Sequence, residues 1–236
     1  MRICFSFLYL SLACPLPALA AERTLSLTDF DRIHVEGGFI VDVRTGAATT
    51  GRIIGTPAAI DAASVEVQGR QLNIRRDHST WRNTSGAEPP AATIRITMPA
   101  LSNIWVSGPA RVSVDRLKGL RVAASLEGPG SLSVATVAAD RMDVGAVGSG
   151  TLALAGTVAT LNVTVRGAGT FDGAKLAVAD LKLTSESAGA VTISVKRAAN
   201  VTMTGTGAVT ILGSPACTVK NIGSGTVSCG SDQSQR

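Results

Sequence analysis

Apolar residues recur at every second position through most of this chain, and short glycine-containing corners interrupt the alternation at regular intervals. An interval of two is typical of β-strands with one buried face. The third residues of successive corners are 18 to 20 positions apart. The copies of the corner are Gly108-Pro109-Ala110, Gly128-Pro129-Gly130, Gly148-Ser149-Gly150, Gly167-Ala168-Gly169, Ser187-Ala188-Gly189, Gly205-Thr206-Gly207 and Gly223-Ser224-Gly225.

The apolar residues around each corner keep fixed distances from it and form columns of equivalent positions. Two positions after the third corner residue stand Val112, Leu132, Leu152, Phe171, Val191, Val209 and Val227. Four positions after it stand Val114, Val134, Leu154, Gly173, Ile193, Ile211 and Cys229. Six positions before the next corner's third residue stand Ala124, Val144, Val163, Leu183, Val201 and Val219. Eight positions before it stand Val122, Met142, Leu161, Leu181, Ala199 and Cys217.

These columns predict a β-solenoid. A unit of 18–20 residues with two short strands cannot bury its inner face alone, whereas stacked units share one continuous core. An antiparallel sandwich would not keep residue types in columns, and the leucine-rich repeat pattern is absent from the sequence. We therefore predict an all-β, single-stranded parallel β-helix, right-handed as parallel crossovers are. Corner glycines allow positive φ and close approach of successive coils.

The N-terminal third repeats the pattern less regularly. We predict one domain over residues 21–230, with irregular coils over 24–106 and regular coils over 107–230, about ten coils in all. Val65 and Val67, followed by Gly69 and then Leu72 and Ile74, are interpreted as another corner shifted by one residue. Residues 75–92 are polar and are interpreted as an excursion loop, and residues 231–236 as a polar tail.

The first 20 residues predict export. A short basic start precedes the apolar run Ile3 to Ala13, and Ala18-Leu19-Ala20 has the small-x-small form of a signal-peptidase site. The run is too short to span a bilayer, which needs about 20 residues. A lipoprotein modified at Cys14 is disfavoured because Ser11 stands where an apolar residue is expected. We expect an exported protein of a bacterial periplasm or cell surface, without a transmembrane segment.

Three stretches taken in order resemble a known family. They are the opening Phe30 to Val43, the middle Thr93 to Leu101, and the ladder of Gly-x-Gly corners. Together they are similar to the putative auto-transporter adhesin, head GIN domain family. The resemblance covers nearly the whole mature chain and implies a β-helical fold located outside the cytoplasm.

The sequence offers little for catalysis. A nucleophilic triad needs a base beside its nucleophile, and the two histidines, His34 and His78, are both interpreted as surface residues. Asp115, Asp140, Asp143, Asp172 and Asp180 stand at different distances from their corners, so no carboxylate ladder is expected. Paired Cys/His spacing for zinc is missing, and no helical period follows a Gly-x-Gly corner to bind a dinucleotide. We predict no catalytic residue, no metal and no cofactor.

One segment concentrates basic and aromatic side chains. The excursion loop contains Arg75, Arg76, His78, Trp81 and Arg82, and these are the candidate ligand-binding residues. Arginine can pair with a carboxylate or phosphate in a bidentate way, and an exposed tryptophan can stack on a sugar ring. The alternative is a solvated loop in which Trp81 caps the solenoid. Trp105, at an outward position, is a further surface aromatic.

A disulfide between Cys217 and Cys229 is expected. They are the only cysteines of the mature chain, and exported proteins meet an oxidising compartment. Their columns flank the same corner, so the sulfurs should lie about one coil step apart. Two buried free thiols are the alternative.

The hypothesis that follows is a non-catalytic extracytoplasmic β-helix that binds a glycan or other envelope polymer, or a surface protein, for adhesion. The formal charge of +5 is a weak hint of acidic partners. Nucleic acid is disfavoured by the export signal and by the lack of a dense basic face. The alternatives are a β-helix enzyme acting on acidic polysaccharide and a passive module that stacks through its coil ends.

Overall fold

The computed structural model describes residues 21–77 and 91–230. Strands account for 73% of the described residues and helix for 3%, and the chain winds into a β-solenoid of about six turns with coils of about 20 residues. The predicted fold class is therefore confirmed. The predicted number of coils, about ten, was too high, and the N-terminal third explains the difference.

Sixteen strands and one short helix follow one another within these described ranges. The N-terminal elements are β1 Ala21–Leu25, β2 Arg32–Glu36, β3 Ile40–Thr45, β4 Thr50–Gly55, α1 Pro57–Asp61, β5 Ala63–Gln68, β6 Gln71–Arg76, β7 Thr93–Met98 and β8 Asn103–Ser107. The remaining strands are β9 Arg111–Glu127, β10 Ser131–Gly148, β11 Thr151–Gly167, β12 Thr170–Ser187, β13 Ala190–Met203, β14 Ala208–Leu212, β15 Ala216–Asn221 and β16 Thr226–Cys229.

From β9 onward each coil lies parallel to the next and in register with it. Leu132 pairs with Val112 on one side and with Leu152 on the other, all in the first column after the corner. Met142 likewise lies between Val122 and Leu161. Since the same residue types meet in every step, neighbouring coils bury their inner faces against one another as the sequence predicted.

The core also contains inward residues that the sequence analysis missed. They lie in the middle of the long strands, and each is at most 1% exposed. They form two columns, one with Leu117, Val137 and Leu176 and the other with Val158, Val178 and Val195. Register shifts after Val134 and after Ala153 change the distance of these residues from their corners. The period of two is therefore interrupted at that point, and neither column can be recognised from the sequence pattern.

The N-terminal third is not a simple series of coils. β2 lies between β6 and β8, and β3 lies between β7 and β9, all in parallel. The coil made by β2 and β3 is therefore inserted between two coils that come later in the sequence. This end of the solenoid is extended by β4 and β1, which add antiparallel strands beyond β7.

The predicted corner at Gly69 is wrong. β5 and β6 form an antiparallel hairpin in which Val65 pairs with Ile74 and Val67 with Leu72. Gly69 adopts a φ of +62° in the turn between them. A hairpin strand and a coil strand both alternate with a period of two, so the apolar pattern alone could not separate the two connections.

The two ends of the solenoid differ. Near the N-terminal end, α1 starts after Thr56, whose Oγ1 accepts a hydrogen bond from the Ala59 amide at 3.2 Å, and it buries Ala59 and Ile60. At the other end, all six residues of β15 are exposed. Val219 belongs to an inward column, yet it is 43% exposed because no described coil covers it. The columns predicted from the sequence thus lose their burial in the last coil.

The last coil carries both cysteines of the predicted disulfide. Cys217 lies in β15 and Cys229 in β16, their Cα atoms are 6.6 Å apart, and their sulfurs lie adjacent to each other. This Cα separation falls within the usual disulfide range of about 4.4–6.8 Å. The bridge stays a prediction, and it would fasten β15 to β16 where stacking is least complete.

We expect mature protein from an oxidising compartment to contain this bridge. Denatured, non-reduced protein should then show no alkylatable thiol by mass spectrometry, whereas two would contradict the prediction. Closing so short a loop stabilises by at most about 3 kcal/mol in the chain-entropy estimate. Because the bridge joins only the last coil, reduction should raise amide exchange in β15 and β16 and leave β10 to β12 protected.

Candidate functional site

The second half of each coil presents a central outward column to solvent. Cross-strand pairing connects its members in the order Asn73, His34, Trp105, Ser125, Gly145, Thr164, Thr184, Thr202 and Lys220. Most members are small or hydroxyl-bearing, and only His34 and Trp105 carry rings. The ring pair therefore interrupts an otherwise low ladder of side chains.

His34 and Trp105 stack on each other. Their ring centroids are 4.3 Å apart with an angle of 14° between the planes. The cause is the fold itself: β2 and β8 pair in parallel with His34 directly opposite Trp105, and adjacent strands lie about 4.8 Å apart. Trp105 remains 42% exposed, so the stack is a surface feature and not part of the core.

A hollow of about 180 Å³ lies beside the stacked rings. Arg32, Gln71, Asn103 and Ser125 contribute polar groups to its wall, next to the two rings. Gln71 Nε2 donates a hydrogen bond to Asn73 Oδ1 at 2.7 Å, which fixes one side of the hollow. Aromatic surface beside a few convergent polar groups is the composition of a site for a small polar ligand.

Next to the hollow, Arg70 and Asp31 form an ion pair. Arg70 Nε donates to Asp31 Oδ1 at 3.2 Å, and Arg70 Nη2 lies 3.1 Å from Asp31 Oδ2. This hydrogen bond from Arg70 lowers the pKa of Asp31 below its usual value, against the opposing effect of burial. Arg32 lies 4.0 Å from the same carboxylate, so the hollow keeps a cation beside it.

A larger furrow crosses the middle of the long strands β9 to β13. It has a volume of about 720 Å³ and is lined mainly by small apolar residues such as Ala138, Ala159 and Ala179, with Lys118 and Lys196 among its lining residues. Its wall presents mostly methyl groups and few groups that can orient a ligand by hydrogen bonds. The ring pair and its hollow offer the more specific chemistry.

The structure describes two of the predicted loop residues, Arg75 and Arg76. Both belong to strand β6, so this part of the predicted excursion loop is wrong. Arg75 Nη2 lies 3.3 Å from Glu66 Oε2, across the β5–β6 hairpin. The Arg76 guanidinium lies 5.9 Å from the centre of the Phe39 ring. Both side chains thus make contacts within the protein. His78, Trp81 and Arg82 lie outside the described residues, as do the predicted signal peptide with Cys14 and the polar tail.

Sequence reasoning took His34 as a solvated residue and Trp105 as a lone surface aromatic, and it missed their pairing. The two positions are 71 residues apart in the chain, and they meet only because the β2–β3 coil is inserted beside β8. The signal that was present is the alternation of each strand: His34 and Trp105 both occupy outward positions between buried neighbours.

Carboxylates of the regular coils do not stack on one another. Asp143 pairs with Ala123 and Asn162, and Asp180 with Thr160 and Ala198. Within residues 21–77 and 91–230, no three His, Cys, Asp or Glu side chains converge as a metal site would require. The same part of the chain has no helix with the length and apolarity to cross a membrane.

The sequence profile of a family described as "Putative auto-transporter adhesin, head GIN domain" matches residues 29–215. The match covers well over half of the chain. The chain belongs to this family. The match ends just before β15, so both cysteines of the predicted disulfide lie beyond the matched residues.

Solved structures with the same fold come from Bacteroides and Parabacteroides species. A putative adhesin from Bacteroides fragilis has a TM-score of 0.77 at 20% identity, covering 89% of this chain and 96% of that one. A protein from Parabacteroides distasonis described as a putative lipid binding protein has a TM-score of 0.69 at 17% identity, with coverages of 90% and 97%. A putative adhesin from Parabacteroides merdae gives 0.67 at 17% identity, with 90% and 96% covered. At these identities the likeness shows the fold. No curated protein matches the chain in sequence.

Proposed function

We propose that this head GIN domain is exported and binds a polymer of the cell envelope or cell surface without chemically changing it. The observation that carries the proposal is the outward column of the second half-coil. It continues in register from Asn73 to Lys220, and a face that repeats every coil suits a ligand that also repeats.

The family and two of the neighbours reported above are named as adhesins, which supports location at or outside the cell surface. The residues 1–20 support export through their signal-peptide pattern. The separation of the carboxylates supports binding over catalysis, because acid–base cleavage of a glycan needs two carboxyl groups or an acid and a base near one bond.

The test is retention of the mature chain, residues 21–236, on a panel of immobilised polysaccharides and on intact bacterial envelopes. Cellulose, chitin, peptidoglycan, alginate and polygalacturonate cover neutral, amino and acidic sugars. We expect specific retention on at least one polymer with no new reducing ends and no unsaturated products. Product formation that disappears on changing a single residue would establish the enzymatic alternative, and absence of all retention would overturn the proposal.

The excursion loop is a second element of this proposal. If the loop binds an acidic polymer, then the combined change Arg75→Ala, Arg76→Ala and Arg82→Ala should abolish salt-sensitive retention on alginate or polygalacturonate. Far-UV circular dichroism should stay the same. A matched control removes the same charge from exposed positions of the regular coils: Arg116→Ala, Arg121→Ala and Lys175→Ala. If the two triple variants were retained equally, the loop would cover the solenoid without taking part in binding.

A further inference from the structure

We infer that the polymer is a glycan, and that one of its sugar rings docks on the free face of Trp105 above a shelf formed by Ser125 and Gly145. This inference rests on the proposed function and names its ligand class and its anchoring site. It begins from the two faces of the indole, which are in different surroundings.

One face of the indole is already covered. β8 lies between β2 and the second half of β9, so His34 is on one side of Trp105 and Ser125 on the other. The His34 ring is nearly parallel to the indole at 4.3 Å. It therefore occupies the face toward β2 and holds the indole in the plane of its coil. The other face is directed along the solenoid axis toward Ser125.

The space in front of that free face is kept low by small residues. Ser125 is followed in the column by Gly145, which has no side chain, and then by Thr164. Trp105 and Thr164 are three coil steps apart, or about 14 Å. Between these two side chains the surface lies close to the strand backbone, and Trp105 and Thr164 project on either side of it. The gap between them is wide enough for a pyranose ring.

Gly145 has no conformational reason to be glycine. It lies inside β10, and it is absent from the glycines with positive φ among the described residues. A Cβ at this position would lie 3.3 Å from Ser125 Oγ and would meet no backbone within 4 Å. The equivalent positions of the following coils are Thr164, Thr184 and Thr202. A glycine inside a strand often marks a bulge, a bend, or the close approach of a ligand or another backbone. The pairing of β10 shows no register shift at Gly145 and no backbone lies near its Cβ position, so we infer that here the glycine opens the shelf.

Polar groups flank the shelf on both sides. On one side, in the column that contains Ala123, Asn162 Nδ2 donates a hydrogen bond to Asp143 Oδ1 at 2.6 Å. On the other side are Glu127 and Arg166, with Arg166 Nε 3.0 Å from Glu186 Oε2. The C–H face of a sugar complements the negative face of an indole, while ring hydroxyls can donate to carboxylates and accept from amide and guanidinium groups. Such a pairing of apolar and polar contacts favours a glycan over a polypeptide ligand.

The experiment compares two independent ways of removing the site. Trp105→Ala removes the stacking surface. Gly145→Thr fills the shelf with the residue that the next coils already carry, which keeps the strand intact. Thr202→Ala, farther along the same column, is the matched control. Affinities for cellohexaose, chitohexaose and hexagalacturonate are measured by calorimetry. Indole fluorescence is recorded during the same titrations in a Trp81→Phe background, in which Trp105 is the one remaining tryptophan.

We expect the wild type and Thr202→Ala to bind at least one hexasaccharide with equal affinity and with a change in indole fluorescence. Trp105→Ala and Gly145→Thr should each bind at least about tenfold more weakly, since central aromatic anchors carry much of the binding energy at such sites. Gly145→Thr should also lose the fluorescence change although the indole is present. If Trp105→Ala unfolds, Gly145→Thr alone decides the question.

Failure of this inference differs from failure of the proposed function. If the wild type were retained on a polysaccharide and both variants bound as tightly as the wild type, the sugar would bind at another site. The proposed polymer binding would then still hold. If binding to envelopes persisted after their glycans had been removed, the inference that the ligand is a glycan would be wrong. Absence of all binding by the wild type would overturn the proposed function itself.

Discussion

Replacing Leu152, Leu161 or Leu183 by alanine is expected to lower the free energy of unfolding by about 2–5 kcal/mol each. The three side chains are 0%, 0% and 1% exposed, and each lies between apolar residues of the coils before and after it. A truncated side chain would leave a cavity that a stack of coils in fixed register cannot readily close. Urea denaturation followed by circular dichroism measures the change.

The controls for this prediction come from the same coils. Thr151 precedes Leu152 and is exposed, so Thr151→Ala should change the free energy of unfolding by no more than about 0.5 kcal/mol. Val201 and Val219 share one column, but the first is buried and the second is 43% exposed. Val201→Ala should therefore destabilise and Val219→Ala should not. Equal sensitivity of buried and exposed positions would contradict the assignment of the columns.

The regular coils could be predicted from the sequence because they obey one rule at every step. A residue such as Leu132 has its column mates 20 positions before and after it, so a repeat in one dimension translates directly into neighbours in three. Because the coils stack in parallel and in register, the contacts between neighbouring coils follow from the repeat alone.

The N-terminal coils could not be predicted in the same way, because their spatial order differs from their order in the chain. Val35 stacks on Val106 and on Ile74, at unequal separations in sequence. No period connects these residues, and an alternating strand such as β6 fits a hairpin and a coil equally well. The first turns and the end of the solenoid had to come from the structure.

The candidate site depends on this unpredictable part. Trp105 was visible as an outward aromatic, but its partner His34 belongs to the inserted coil. Gly145 was visible only as one of many glycines, since its meaning lies in the absence of a positive φ and in its place above Ser125. The candidate loop, by contrast, was chosen from local composition, and its described members Arg75 and Arg76 contact Glu66 and Phe39.

The corner glycines serve two separate purposes, one conformational and one steric. The steric purpose predicts a large effect on the free energy of unfolding. At the corners that begin at positions 108, 128, 148 and 167, the first residue has a positive φ, +109° at Gly148, which residues other than glycine rarely adopt. The third residue, such as Gly169, is absent from the glycines with positive φ among the described residues. Its role is space: a Cβ on Gly169 would lie 2.6 Å from the carbonyl oxygen of Gly150 in the previous coil.

Gly169→Ala is therefore expected to lower the free energy of unfolding by about 3 kcal/mol, the upper part of the range for overpacking. The methyl group would meet backbone and not a flexible side chain, so the two coils must separate at the corner. The gain from a less flexible unfolded chain, about 0.4–1 kcal/mol, cannot offset this. Gly119→Ala is the matched control, because its Cβ would meet nothing closer than Val122 Cγ1 at 3.4 Å.

We expect Gly119→Ala to leave the urea midpoint unchanged or slightly raised, and Gly169→Ala to lower it. The damage should also be local at first. Amide exchange should rise at Thr170, whose amide donates to the Gly150 carbonyl at 3.0 Å, and at Gly169, whose amide donates to Gly148 at 2.8 Å. If both variants behaved alike, the third corner glycine would not be fixed by the approach of the coils. Glycine would then recur at the corners only because they are turns.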